Sequence, residues 1–131
     1  EGKEVDLDTL EYIHLHKTGA LLRACVISGA LIGGANDELL SALGIYAKGI
    51  GLAFQIIDDI LDVTASSEVL GKTAGKDLIA DKTTYPKLLG LEQSRERANE
   101  LVAKAKQALE PWEENASPLL ALADYITNRD R

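Results

Sequence analysis

The ten residues Phe54–Val63, FQIIDDILDV, decide how the rest of the chain is to be read. Their aliphatic residues suit a buried helix face, yet Asp58, Asp59 and Asp62 stand within one and a half turns of one another. Each residue advances about 100° around a helix, so Asp58 and Asp62 share a face, Asp59 sits beside them, and Gln55 lies one turn before Asp59. Like charges at this spacing destabilise by a few tenths of a kcal/mol per pair when exposed, and by more when partly buried. Such a stripe is either a solvated helix face or a place where a cation sits. Oxygen-only ligands on one helix face suit Mg²⁺, with Mn²⁺ as the close substitute, because Mg²⁺ keeps several waters and takes one or two carboxylates plus substrate phosphates. An EF-hand calcium loop does not fit, since its spacing differs and its ligands are not helical.

The surroundings favour the cation. Lys72, Lys76 and Lys82 follow in a glycine-containing stretch, and Lys17 with Thr18 stands among apolar residues of an earlier helix, where a bare lysine is expensive. Lysine binds phosphate as a long-reaching point charge. Aspartates for a metal and lysines for an anion together are what a diphosphate site requires.

Composition narrows the fold. The chain has 131 residues, 46% hydrophobic and 5% aromatic, with a net charge of −7. Aliphatic residues so outnumber aromatic ones that helix-on-helix packing, an all-α antiparallel bundle in one domain, is expected. The acidic balance argues against nucleic-acid binding, which needs a basic stripe. Cys25, the single cysteine, has no internal partner, is expected in core packing, and mildly favours a reducing compartment. The longest apolar run, ALLRACVISGALIGGA, is interrupted by Arg23 and is short for a bilayer, so a buried core helix is expected and no stable membrane insertion. No secretory signal is visible at the start.

Helices follow from caps and periodicity. Asp8 with Glu11 predicts a capping box opening a first helix that runs to Gly33 and Gly34. Asn36 or Asp37 caps a second helix of about 28 residues through the aspartates to Ala65. A loop is expected from Ser66 to Lys82, then a short helix with Pro86 in its first turn. A further helix ends at Pro111, and the last is capped by Ser117 with Pro118 at its first position. His14 and His16 lie about 200° apart on a helix, do not share a metal, and are read as structural. Trp112 is read as an anchor for the last helix, and Arg95, Arg97, Lys104 and Lys106 as a solvated face.

The segments HKTGALLRACVISGALIGGA, GLAFQIIDDILDV, LGKTAGKDLIADKTTYPKLLGLE and LLALADYITNRDR resemble, over essentially the whole chain, the C-terminal half of short-chain trans-prenyltransferases, most closely geranylgeranyl diphosphate synthases of cyanobacteria and plastids. The resemblance implies the isoprenoid-synthase helical bundle, homodimerisation, and a Mg²⁺-assisted head-to-tail condensation of isopentenyl diphosphate with an allylic diphosphate. It implies cytoplasmic location in a bacterium or plastid location in a plant. Asp58, Asp59 and Asp62 match the second aspartate-rich motif as metal ligands, Asp58 foremost. Lys17 matches the lysine that contacts the allylic diphosphate, and Thr18 beside it is placed to stabilise the cation. Phe54 and Gln55 match the pair before the motif, at the isopentenyl tail and the reacting carbons. Lys72 and Lys82 match the diphosphate lysines after it, and Lys76 and Asp77 lie in the same stretch.

The departure from the family pattern is large. Its first aspartate-rich motif, DDxxxxD, does not occur in these residues, so they are expected to form the C-terminal part of a synthase domain and to be inactive alone. Two other readings stay open: a non-catalytic partner subunit, which the intact DDxxD and lysines count against, and a synthase of different product length or a cyclase of the same helical class.

Overall fold

The computed structural model describes residues 5–69 and 83–130, and every regular element among them is helical. We number the helices α1 (Leu7–His16), α2 (Thr18–Ile32), α3 (Asp37–Val69), α4 (Tyr85–Leu89), α5 (Leu91–Ala108) and α6 (Glu113–Asn128), with a 3₁₀ turn at Glu110–Trp112. Local chemistry explains most of the boundaries. Asp6, not Asp8, caps α1, its carboxylate accepting from the Thr9 N–H at 2.8 Å. That hydrogen bond holds the Asp6 carboxyl below its usual range. Glu11, expected in the capping box, is instead used elsewhere. Asn36 caps α3 by accepting from the Leu39 N–H at 2.9 Å. Gly34 takes φ +76° after α2, letting the Ala35 N–H reach the Ala30 carbonyl at 3.0 Å and close the helix end.

Four boundaries differ from the sequence expectation. The single first helix is two helices, broken at Lys17 (φ −96°, ψ −97°) and bent by 44°. The helix carrying the aspartates runs on to Val69, because the Thr64 and Ser67 hydroxyls bond back to the Ile60 and Val63 carbonyls at 2.9 Å and do not compete with the helix. The helix expected to end at Pro111 stops at Ala108, and the 3₁₀ turn takes in Pro111. The last helix begins at Glu113, so Pro118 lies inside it and leaves one helical hydrogen bond unmade. Lys72, Lys76, Asp77 and Lys82 lie outside the described residues.

α3 is the axis of the bundle. It packs most extensively against α5 and α2, and also meets α1, α4 and α6. Tyr46, Ile50, Ala53, Ile56, Ile57 and Ile60 of α3 are almost fully buried, together with Ala98 and Val102 of α5 and Ala123 and Ile126 of α6. α3 is long and apolar enough by composition to cross a membrane, but it is the covered helix here. Two glycines permit the close approach: a Cβ at Gly49 would stand 3.1 Å from the Leu101 carbonyl oxygen of α5, and one at Gly51 would stand 3.2 Å from the Cα of Gly19 in α2. The register is antiparallel for α1–α2 and α5 against α3. α6 runs with α3, held by the Tyr46 hydroxyl donating to the Leu119 carbonyl at 2.7 Å.

α2 is not the buried core helix its composition suggested. Gly19 is its only buried residue, and Leu21, Leu31 and Ile32 are 67%, 59% and 89% exposed. Cys25, expected in the core, is exposed with them. α3 covers one side of α2, and no described element covers the other.

Candidate functional site

The three aspartates meet three different environments. Asp58 is half-exposed and forms an ion pair with Arg129, just past the end of α6. The same guanidinium donates to the Phe54 carbonyl at 3.1 Å and lies over the Phe54 ring, 4.2 Å from its centroid. Asp62, one turn on, is exposed. Asp59 does not join that face. It is 3% exposed, accepts from the Tyr85 backbone N–H at 3.1 Å, and stands 3.5 Å from His14 Nε2. One residue along a helix is a rotation of about 100°, enough to carry Asp59 from the stripe into the seam between α1, α3 and α4. The carboxylate face is therefore Asp58 with Asp62, and among the described residues no three acidic, imidazole or thiol groups converge as a ready metal cage.

Tyr85 gathers the seam together. Its hydroxyl donates to Glu11 Oε1 at 2.5 Å, Arg97 of α5 donates to the same oxygen at 3.4 Å, and the His14 ring stacks on Tyr85 with centroids 6.0 Å apart. Burial, then the hydrogen bond to Glu11, raise the Tyr85 phenol far above its ordinary range. His14 is thus packed into the buried seam, and its Nε2 lacks a hydrogen bond among the described residues. Arg97 is not merely a solvated group.

The break at Lys17 lies beside the FQxxDD run. His14 meets Asp59 and Gly19 meets Gly51, so the antiparallel register brings Lys17 and Thr18, between them, to the level of Phe54 and Gln55. Lys17 is exposed, while Thr18, Phe54 and Gln55 are half-buried. The structure thus brings Lys17 and Thr18 to the level of α3 that carries Phe54, Gln55 and Asp58. The groove between α5 and α6, lined by Lys104, Lys106, Gln107, Glu110 and Leu120, carries none of these residues.

Two functional-looking groups escaped the sequence reading. Arg129 is 71 positions from Asp58 and Glu11 is 74 from Tyr85. No local periodicity connects groups so far apart. The only signal was negative, namely that the charges of Asp58 and Asp59 needed partners.

The polyprenyl synthetase family profile matches residues 1–117. The chain belongs to that family. Polyprenyl synthetases similar to it include a dimethylallyltranstransferase of Fischerella ambigua, 61% identical over 127 residues, and a chloroplastic geranylgeranyl pyrophosphate synthase of Catharanthus roseus, 59% identical over 128. Both alignments take in 97% of this chain but only 37% and 36% of the relatives, so the chain spans little more than a third of their length. Among solved structures, a Helicobacter pylori geranyltransferase complexed with magnesium and isoprenyl diphosphate superposes with a TM-score of 0.68 at 28% identity, over 96% of this chain and 41% of that one.

The Asp58–Asp62 face fits a divalent ion of the kind that binds few protein ligands. Asp58 is already paired with a cation, the Arg129 guanidinium, which stands in for the charge that a metal would bring. Two carboxylates one turn apart, open to water, match Mg²⁺ that completes its shell with water and phosphate oxygens.

Proposed function

We propose that this chain supplies the second metal-and-diphosphate jaw of a prenyltransferase that condenses isopentenyl diphosphate with an allylic diphosphate to give geranylgeranyl diphosphate. The observation that carries the reading is that the antiparallel register sets the Lys17–Thr18 break level with the stretch of α3 that carries Phe54, Gln55 and Asp58. In this reaction the allylic C–O bond breaks with its electron pair leaving on diphosphate, the isopentenyl double bond supplies the electrons of the new C–C bond, and the resulting tertiary cation loses a proton to the released diphosphate, which restores a double bond. Asp58 and Asp62 would hold Mg²⁺, or Mn²⁺ in its place, which would supply positive charge to the leaving diphosphate. Lys17, Lys72 and Lys82 contact diphosphate, with a stabilisation that grows as charge develops on its oxygens. Phe54 and the isoleucines of α3 offer apolar surface that keeps water from the carbocation. Thr18 and Gln55 present dipoles at the level where the carbons react.

The name of the Catharanthus relative favours geranylgeranyl diphosphate as product, and the origins of the two relatives, a cyanobacterium and a plant chloroplast, support bacterial cytoplasm or a plastid. Homodimerisation belongs to the same proposal. The test replaces the matching segment of the Fischerella relative with these 131 residues. The chimera is expected to form geranylgeranyl diphosphate from farnesyl and isopentenyl diphosphates with Mg²⁺, and Asp58→Ala to lower turnover by about two orders of magnitude or more. A folded chimera without prenyl transfer, or one indifferent to Asp58→Ala, overturns the assignment.

A further inference from the structure

We propose that Asp59 is a positioning residue, not a metal ligand: its buried carboxylate indexes the rotation of α3 so that Asp58 and Asp62 face outward. The inference rests on the function proposed above and assigns a separate task to the middle aspartate of the motif.

The argument begins with burial. A carboxylate that binds Mg²⁺ must reach an ion whose shell is completed by water and phosphate oxygens, but Asp59 is 3% exposed and its Oδ2 is already committed to the Tyr85 N–H at 3.1 Å. Tyr85 is itself fully buried and held at its hydroxyl by Glu11 from α1, with Arg97 from α5 on the same carboxylate. His14 from α1 completes the surround, its buried Nε2 aimed at Asp59 from 3.5 Å. Three helices therefore meet at the Asp59 carboxylate, and α5 joins them through Glu11. Because Asp58 and Asp59 are about 100° apart on α3, fixing the one inward fixes the other outward. An apolar residue at position 59 would pack in the same seam but would leave the buried Tyr85 N–H without its acceptor. It would also remove the directional contact that forbids α3 to turn.

Asparagine separates the two roles. It keeps a carbonyl oxygen for the Tyr85 N–H but loses the charge that a metal ligand needs. In the chimera described above, amide exchange at Tyr85 and calorimetric binding of inorganic diphosphate with MgCl₂ are measured for the unaltered segment, taken as wild type, and for D59N, D59A and D58N. D59N should keep Tyr85 protection and bind Mg²⁺–diphosphate within about threefold of the wild type. D59A should lose about tenfold or more in both, and D58N should lose binding while leaving Tyr85 protected. If D59N loses binding as D58N does, with the wild type binding normally, Asp59 is a ligand and the inference fails while the function stands. If D59A changes neither readout, positioning is excluded. A folded chimera with the unaltered segment that binds no Mg²⁺–diphosphate removes the proposed function, and the inference with it.

Discussion

Asp58 and Asp59 are chain neighbours that solve the same electrostatic problem in opposite ways. Asp59 gives up water for a backbone N–H and a nearby imidazole, whereas Asp58 keeps partial exposure and takes Arg129 as counter-ion. The Arg129 pair competes with any metal for Asp58. A partly exposed pair of this kind contributes up to about 1 kcal/mol, so Arg129→Gln should raise the affinity of the chain for Mg²⁺ alone by about twofold to fivefold at low salt. A titration showing unchanged or weaker Mg²⁺ binding would place Arg129 outside that competition. Phe54 sits under the same guanidinium. Removing the arginine should also alter the environment of that ring, which fluorinated phenylalanine at position 54 reports by NMR.

At the scale of elements, α3 is positioned by what it lacks as much as by what it carries. Gly49 and Gly51 stand back to back along it, one under α5 and one under α2, and each would bring a Cβ into backbone at 3.1 or 3.2 Å. Gly49→Ala and Gly51→Ala should each destabilise the chain by about 1–3 kcal/mol, since rigid backbone must move to make room. Gly29 in α2 and Gly44 in α3 have open space at the Cβ position. There alanine should stabilise by about 0.5–1 kcal/mol through helix propensity alone. Urea midpoints for the four variants test the contrast, and equal shifts at all four positions would contradict the packing described. Shifting Gly51 away from Gly19 would also pull the Lys17–Thr18 break off the level of Gln55.

For the whole molecule, two buried phenols set an alkaline limit. Burial pushes Tyr46 up to about 12 from 10.0, and burial with Glu11 raises Tyr85 further. Both groups are therefore neutral in the folded state at a pH where the unfolded chain already ionises. The stability they contribute is complete below about pH 10 and is lost as pH rises toward 12 and beyond, at about 1.4 kcal/mol per pH unit for each tyrosine. Helical circular dichroism and tyrosinate absorbance should then change together above pH 10. Tyr46→Phe, which leaves the Leu119 carbonyl to find water, should lower neutral-pH stability and flatten the alkaline slope. The uncovered side of α2 has a separate consequence. Leu21, Leu31 and Ile32 form exposed apolar surface, so the chain should self-associate at rising concentration in sedimentation equilibrium, and Leu21→Asp with Ile32→Asp should suppress it.

Much of this was legible from the residues because it depends on local rules. Helix content, the Asn36 cap, the Gly33–Gly34 stop, Pro86 opening a short helix and the pairing of Asp58 with Asp62 across one turn follow from spacing within a few positions. The family, too, lay in short motifs. Cap choice at Asp6 over Asp8 was a near-degenerate local contest, settled when Glu11 found a better partner in Tyr85. The break at Lys17 was hidden because its only local mark is Gly19, a residue that a continuous helix tolerates; in the structure a Cβ there would stand 3.1 Å from the His14 carbonyl oxygen across the break. It occurs where α1 turns to follow α3 past the close contact of Gly19 with Gly51. The separation of Asp59 from its neighbours, the role of Arg129 and the exposure of Cys25 were decided only in three dimensions. Periodicity states which residues share a helix face, but which face turns inward depends on groups more than seventy positions away and on which neighbouring helices are there to cover it.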